Sequence, residues 1–143
     1  MTQLTYTDSV EGISAEMLTG GFFVGWLNPP SAENHLRILQ GSYAIELVLA
    51  DGQVIGYVTA ISDGVSTAYI PQLEVLPAYQ ADGIGSELMR RLLDKLSHLY
   101  AIDLLCDVDV QPFYARLGMH KSTGMVARNY KRQSCEPLES NDI

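Results

Sequence analysis

Leu73-Glu74-Val75-Leu76-Pro77-Ala78-Tyr79-Gln80-Ala81-Asp82-Gly83-Ile84-Gly85-Ser86-Glu87-Leu88 is the stretch that decides the fold. It opens as an apolar, strand-like run and stops at Pro77. A short turn with two closely spaced glycines follows, and helical periodicity begins after it. A strand that breaks into a glycine turn at a helix N-terminus presents unpaired backbone N–H groups in one direction, which suits a phosphate. Gly83 and Gly85 admit positive φ and let a ligand approach the main chain with no Cβ in the way.

Downstream, Ile84, Leu88, Leu92 and Leu96 form one helical stripe, widened by Met89, Leu93 and Leu99. Glu87 with Arg91, and Arg90 with Asp94, are set to pair one turn apart. Ala101 to Val108 reads as an apolar strand. Strand, helix, strand implies a right-handed crossover, so Thr67–Leu76 and Ala101–Val108 are expected to run parallel. Gln111-Pro112 opens a short helix that ends at Gly118, and Met125 to Lys131 reads as a last strand. The polar tail from Gln133 is expected to fray.

Upstream, Tyr43 to Ala50 alternates, with Ile45, Leu47 and Leu49 on one face. Asp51-Gly52 is a hairpin turn, Gln53 to Ile61 is the next strand, and Ser62-Asp63-Gly64 turns back into Thr67–Leu76. Gly56 marks a bulge or a close approach, and Pro71 interrupts its own ladder. Leu4 to Val10 reads as a first strand. Ser14 caps a helix from Ala15 to about Val24, weakened by Gly20-Gly21. After the breaker Asn28-Pro29-Pro30, Ser31 caps a second helix, Ala32 to Gln40, with Gly41 at its C′ position. The fold class is α+β: a mixed, mostly antiparallel sheet with one parallel βαβ crossover, flanked by helices.

The chain has 143 residues, which fits one domain over 1–143. No apolar run is long enough to span a membrane, and no basic-then-apolar leader opens the sequence. The net charge of −8 argues against nucleic acid and is compatible with a cationic substrate such as an amine. Cys106 and Cys135 lack metal spacing, and His35, His98 and His120 match no ligand motif, so no metal is expected. Cys106, in an apolar run, reads as a buried free thiol, consistent with a cytoplasmic protein.

Nucleotide-binding loops provide the comparison for the turn. A P-loop places Lys and Ser/Thr after its last glycine, whereas Ser86 and Glu87 follow Gly85 here. A dinucleotide fingerprint needs a third glycine where Leu88 stands. Asp103 lies where a ribose-binding acid would fall, but the preceding meander is not a dinucleotide-fold opening.

Gln80-x-x-Gly83-x-Gly85 resembles the acetyl-CoA signature of the GNAT acetyltransferase superfamily, and Leu73-x-Val75-x-Pro77-x-Tyr79-Gln80 looks like the lead-in of its small bacterial members. Pro112-Phe113-Tyr114-Ala115-Arg116-Leu117-Gly118-Met119 is similar to the late motif of that family, and the element order matches from end to end. The resemblance implies a V-shaped cleft between splayed strands, with acetyl-CoA as cosubstrate. It implies that Leu73 and Val75 pair with pantetheine, the Val75 N–H polarising the thioester carbonyl. Gln80, Ala81, Asp82, Gly83, Ile84, Gly85 and Ser86 then cradle the pyrophosphate. It further implies acetyl transfer to a primary amine of a small molecule by direct attack, with Tyr114 as general acid. Glu74 and Asp107 are candidates for the base, and a homodimer is common in the family. An idle acyl-CoA-binding module of the same fold is the alternative. Asp82 stands where many members carry Arg, Lys or Gly, and a carboxylate there opposes an anion. Asp107-Val108-Asp109-Val110 lacks the Asn that many members place before the Tyr. The aromatic run holding Phe22, Phe23 and Trp26 is read as a wall of the acceptor site, with Tyr69 and Tyr130 as further candidates.

Overall fold

Gln53–Ser62 is the longest strand and the axis of the sheet. The computed structural model describes residues 2–137. Among them the strands are β1 (Leu4–Thr7), β2 (Ala44–Ala50), β3 (Gln53–Ser62), β4 (Thr67–Tyr69), β5 (Leu73–Val75) and β6 (Ala101–Asp103). The helices are α1 (Ala32–Gly41), α2 (Ile84–Lys95) and α3 (Gln111–Ala115). The sheet runs β1-β2-β3-β4-β6, and β5 pairs separately with β3. Every pairing is antiparallel except β4 with β6, the parallel pair that the crossover through α2 requires.

Helices flank both faces of β3. Tyr57 faces His35 of α1, with ring centroids 4.5 Å apart. Its neighbour Gly56 faces Leu88 of α2, as strand alternation requires. A Cβ on Gly56 would stand 2.9 Å from Val48 Cγ1 and 3.2 Å from Leu88 Cδ1, so only glycine brings α2 this close. Beside it the β2–β3 register slips between Val48 and Leu49, leaving Ile55 unpaired as a bulge. The expected stripe of α2 forms the floor of the core: Leu88, Met89, Leu92 and Leu96 are fully buried.

Several expectations need correction. The first strand ends at Thr7. Only a 3-10 turn, Ala15–Leu18, forms where a helix to Val24 was expected. Beyond it Gly21, Phe23 and Gly25 all take positive φ, which no helix accommodates. In α1 the Ser31 hydroxyl accepts from the Asn34 N–H at 3.1 Å, as a cap should. Gly41 lies inside the last turn, however, and Ser42 closes the helix by donating from Oγ to the Ile38 carbonyl at 2.7 Å. β2 is buried on both faces, including Glu46, rather than on one. Arg90 pairs with Glu87 at 2.8 Å rather than with Asp94, while Arg91 meets Glu87 at 2.9 Å as expected.

The expected strand Thr67–Leu76 is split into β4 and β5, and Ala101–Val108 keeps strand pairing only to Asp103. Met125–Lys131 forms no strand. Its exposed first residues carry no regular structure, and a 3-10 turn covers Tyr130–Arg132. The tail is tied down at its start. The Gln133 side chain accepts from the Asn28 N–H at 2.8 Å, and Asn34 Nδ2 donates to the Ser134 carbonyl at 3.2 Å and to Glu136 Oε1 at 2.8 Å. Positions 138–143 lie outside the described residues. Cys106 is a free thiol that is half-buried rather than buried.

Candidate functional site

The split at Pro71 makes the site. The Ile70 N–H donates to the Asp103 carbonyl at 2.9 Å, so up to that point the chain follows β6. Two residues later the Thr59 N–H donates to the Gln72 carbonyl at 3.2 Å, and from there the chain follows β3 alone. Pro71 has no N–H to offer either neighbour. β5 and the continuation of β6 therefore diverge and leave a cleft of about 440 Å³. Pro71 to Glu74 line one side, Leu104 to Asp107 the other, and Tyr114 also lines it.

The register of β5 directs its main chain. Leu76 donates to the Ile55 carbonyl at 2.8 Å, and Gln72 accepts from Thr59. By strand alternation Glu74 also turns its backbone groups toward β3, while those of Leu73 and Val75 point away from it, Leu73 lining the cleft and Val75 the pocket on the glycine turn. The Val75 carbonyl takes a hydrogen bond from Gln80 Nε2 at 2.8 Å, which pins the turn to the strand end.

Next to the cleft, a second pocket of about 280 Å³ sits on the glycine turn, lined by Val75, Gln80, Ala81, Gly83, Gly85 and Phe113 among others. Gly83 is the N-cap of α2 at φ +78°, and Ala81 precedes it at φ +74°, a conformation that L side chains rarely hold. No side chain caps this helix. The Glu87 N–H bonds back to the Gly83 carbonyl at 3.1 Å, which leaves the N–H groups of Ile84, Gly85 and Ser86 as the orphans of the first turn. With the helix dipole they form an electropositive cradle. Asp82 is exposed and does not line this pocket.

Tyr114 is half-buried in the cleft lining, and burial, then the neighbouring Cys106, pushes its hydroxyl above the usual tyrosine range. Asp107 is exposed on the cleft wall. Glu74 is differently placed: Oε1 accepts from the Phe23 N–H at 2.8 Å and Oε2 from the Val24 N–H at 3.2 Å. Both oxygens of this candidate base are thus already engaged by backbone.

Phe23 and Trp26, two of the expected acceptor-wall residues, line the cleft. Phe22 does not. It is 8 % exposed and packs edge-on against His35 and Tyr57 behind the wall. Tyr69 and Tyr130 do not line the cleft either. Missing from the sequence reading were Tyr57 and Gln72, and Cys106, read there only as a buried thiol, also lines the cleft. Tyr57 Oη donates to Gln72 Oε1 at 3.0 Å across β3 and β5. Its signal was a tyrosine amid apolar residues in the central strand, a polar tip that needs a partner when buried. Among the described residues no group of His, Cys, Asp and Glu is arranged to hold a metal ion, and no helix is long and apolar enough to cross a membrane.

A splayed sheet beside an uncapped helix N-terminus is the architecture in which the comparisons with known proteins place this chain. Residues 15–119 match the acetyltransferase (GNAT) family model, and the chain belongs to that family. It is similar over 96 % of its length to the crystal structure of a presumed acetyltransferase from Deinococcus radiodurans R1, all of which it covers, with 45 % identity and a TM-score of 0.90. It is 38 % identical over 77 residues to GCN5-related N-acetyltransferase 3, chloroplastic, of Arabidopsis thaliana, a match covering 52 % of this chain and 32 % of that protein. It is 28 % identical to the uncharacterised N-acetyltransferase ycf52 of Pyropia yezoensis, over 68 % of this chain and 59 % of that one. The chain therefore spans about a third to three fifths of the curated relatives it matches.

Proposed function

We propose that this protein is an acetyl-CoA-dependent N-acetyltransferase acting on a primary amine of a small molecule, by direct attack in a ternary complex. The observation that carries this reading is the pairing of two features on one strand-turn-helix unit. Leu73 and Val75 turn their main chain away from β3, Leu73 lining the cleft, and Val75 shares a pocket with the uncapped N-terminus of α2. That unit fits a pantetheine arm running alongside β5 and a pyrophosphate on the N–H groups of Ile84, Gly85 and Ser86. When bound, acetyl-CoA supplies an acetyl thioester. A C–N bond forms to the acceptor as the C–S bond breaks.

The chain's own residues would then act as follows. The Val75 N–H, turned away from β3, would take the thioester carbonyl, an oxyanion-hole position. Tyr114 keeps its proton throughout the neutral range, because burial raises its pKa. It donates toward the leaving sulfur. Tyrosine is a weaker acid than a thiol by about 1.5 pKa units, so complete transfer is uphill and the contribution is chiefly a hydrogen bond. With both Glu74 oxygens occupied, Asp107, exposed on the same cleft, is the better placed of the two candidate bases, directly or through water. The aromatic wall of Phe23, Trp26 and Tyr57 suits an amine with an apolar body. A cytoplasmic location accords with the two free cysteines. A homodimer accords with exposed Leu105, Val108, Met125 and Val126 near the outermost strand, β6.

The test is to incubate the protein with acetyl-CoA and a panel of small amines while following free thiol. Amine-dependent thiol release is expected. Acetyl-CoA binding without release for any amine would favour the idle acyl-CoA-binding module instead.

A further inference from the structure

The carboxylate of Glu74 ties together two parts of the cleft that are far apart in sequence. Its strand, β5, lines the cofactor side. Its oxygens hold the Phe23 N–H at 2.8 Å and the Val24 N–H at 3.2 Å, about fifty residues upstream. The bend it holds is not self-supporting. Phe23 is a bulky residue at φ +65°, flanked by Gly21 at +106° and Gly25 at +85°. A bulky side chain in that region is costly unless its surroundings impose it. The bend is closed by one local backbone bond, Trp26 N–H to the Phe23 carbonyl at 3.0 Å. It places the Phe23 ring 4.8 Å from that of Trp26 and 4.9 Å from that of His35.

We propose that Glu74 is a positioning residue, the latch that holds the Phe23–Trp26 bend closed as the acceptor wall and couples that wall to the cofactor strand. Its two carboxylate oxygens match two adjacent N–H donors, a fit that no other side chain of similar length reproduces. Glutamine keeps the shape but presents one oxygen and one N–H group, so one backbone donor loses its acceptor and meets a donor instead. The wall then opens while β5, held by its ladder to β3, stays in place.

The proposal rests on the acetyltransferase reading only for its kinetic consequence. The latch itself is read without any substrate. Trp26 is the only tryptophan in the chain, so its fluorescence reports on the bend alone. In Glu74→Gln, acrylamide quenching of Trp26 should rise, and amide exchange at Phe23 and Val24 should accelerate by about tenfold or more. Thermal stabilisation by CoA should persist, and the exposed control Glu11→Gln should behave as wild type. With an acceptor in hand, its KM should rise while kcat keeps its pH profile.

Unchanged quenching and exchange in a folded Glu74→Gln protein would overturn the latch whatever the activity proves to be. So would a fall in kcat with loss of a pH limb at constant acceptor KM, which is the signature of a base. A Glu74→Gln chain that fails to fold would also count against it, because a latch on one bend does not hold the sheet. Absence of acetyl transfer in the wild type would overturn the enzymatic reading and leave the fluorescence and exchange results to decide the latch.

Discussion

Gly85 lies flat against Phe113: a Cβ built on it would stand 3.6 Å from Phe113 Cζ and 3.9 Å from Val75 Cγ2. The first turn of α2, the end of β5 and the start of α3 converge on this one position. Those distances are ordinary van der Waals contact, so a methyl group fits and a longer side chain does not. Gly85→Ala should retain CoA binding and gain up to about 1 kcal/mol of stability from helix propensity. Gly85→Leu should fill the pocket on the turn and abolish binding. Thermal melts with and without CoA distinguish the two. Equal stabilisation of both variants by CoA would remove Gly85 from the site.

Gly83 makes a different demand. Its φ of +78° is required for the turn to enter α2, yet its Cβ position is open space. Gly83→Val should therefore cost about 1–2 kcal/mol through backbone strain alone and misdirect the N–H groups of the cradle. We expect a lower Tm and loss of stabilisation by CoA. A variant that binds CoA as wild type does would show that the conformation of the turn is not what holds the phosphates.

Much of this was legible in the sequence. The glycine turn and the α2 stripe could be read because their signals are local: turn residues at fixed offsets and a single helical period. Asp51-Gly52 defined its hairpin for the same reason. The split of β4 from β5 was only half legible. Pro71 announced a fault in the ladder, but which partner each half would keep depends on the distant Thr59 and Asp103. The bend at Phe23 was not legible at all. It is tied by tertiary hydrogen bonds to Glu74, and a phenylalanine gives no local hint of positive φ. Gly20-Gly21 signalled only that a helix there would be weak. Met125–Lys131 was expected as a last strand, and among the described residues no strand pairs with it.

Tyr114→Phe removes the hydroxyl and leaves the ring packed edge-on against Phe113, at 4.9 Å between centroids. Turnover should fall by about 10- to 100-fold, the size of a hydrogen bond lost to a developing thiolate, with CoA binding unchanged. Because burial raises the Tyr114 pKa, the wild-type rate should not lose its acid form as the pH climbs through the ordinary tyrosine range. Initial rates from pH 7 to above 10 check this. A variant as active as wild type would exclude the hydroxyl from the reaction.

His35 is 1 % exposed and packed among Phe22, Phe23 and Tyr57, with Nε2 unpartnered. Burial pushes its pKa down from 6.5 to about 4. A depressed pKa means that the unfolded chain takes up the proton first. Stability is therefore present above about pH 6.5 and is lost progressively as the pH falls to about 4. The loss amounts to about 3 kcal/mol across that window. His35→Phe should flatten the dependence, as urea unfolding at pH 7 and pH 4.5 would show. An equally acid-sensitive variant would assign the effect elsewhere.

Lys95 bridges two carboxylates of unlike exposure, buried Glu46 at 3.3 Å and exposed Asp8 at 2.9 Å. Burial raises the Glu46 pKa, and Lys95 opposes that shift. Lys95→Met should cost about 3 kcal/mol because it strands Glu46, whereas Asp8→Asn should cost less than about 1 kcal/mol. Chemical denaturation of both variants tests the asymmetry. Equal costs would mean that the exposed pair matters as much as the buried one.

The central claim is that acetyl-CoA lies along β5 with its pyrophosphate on the first turn of α2. A crystal structure of the CoA complex tests it most directly. The account predicts pantetheine hydrogen-bonded to the main chain of Leu73 and Val75, phosphate oxygens on the N–H groups of Ile84, Gly85 and Ser86, and the sulfur facing Tyr114. CoA bound elsewhere, or a pyrophosphate that leaves those N–H groups untouched, would contradict it.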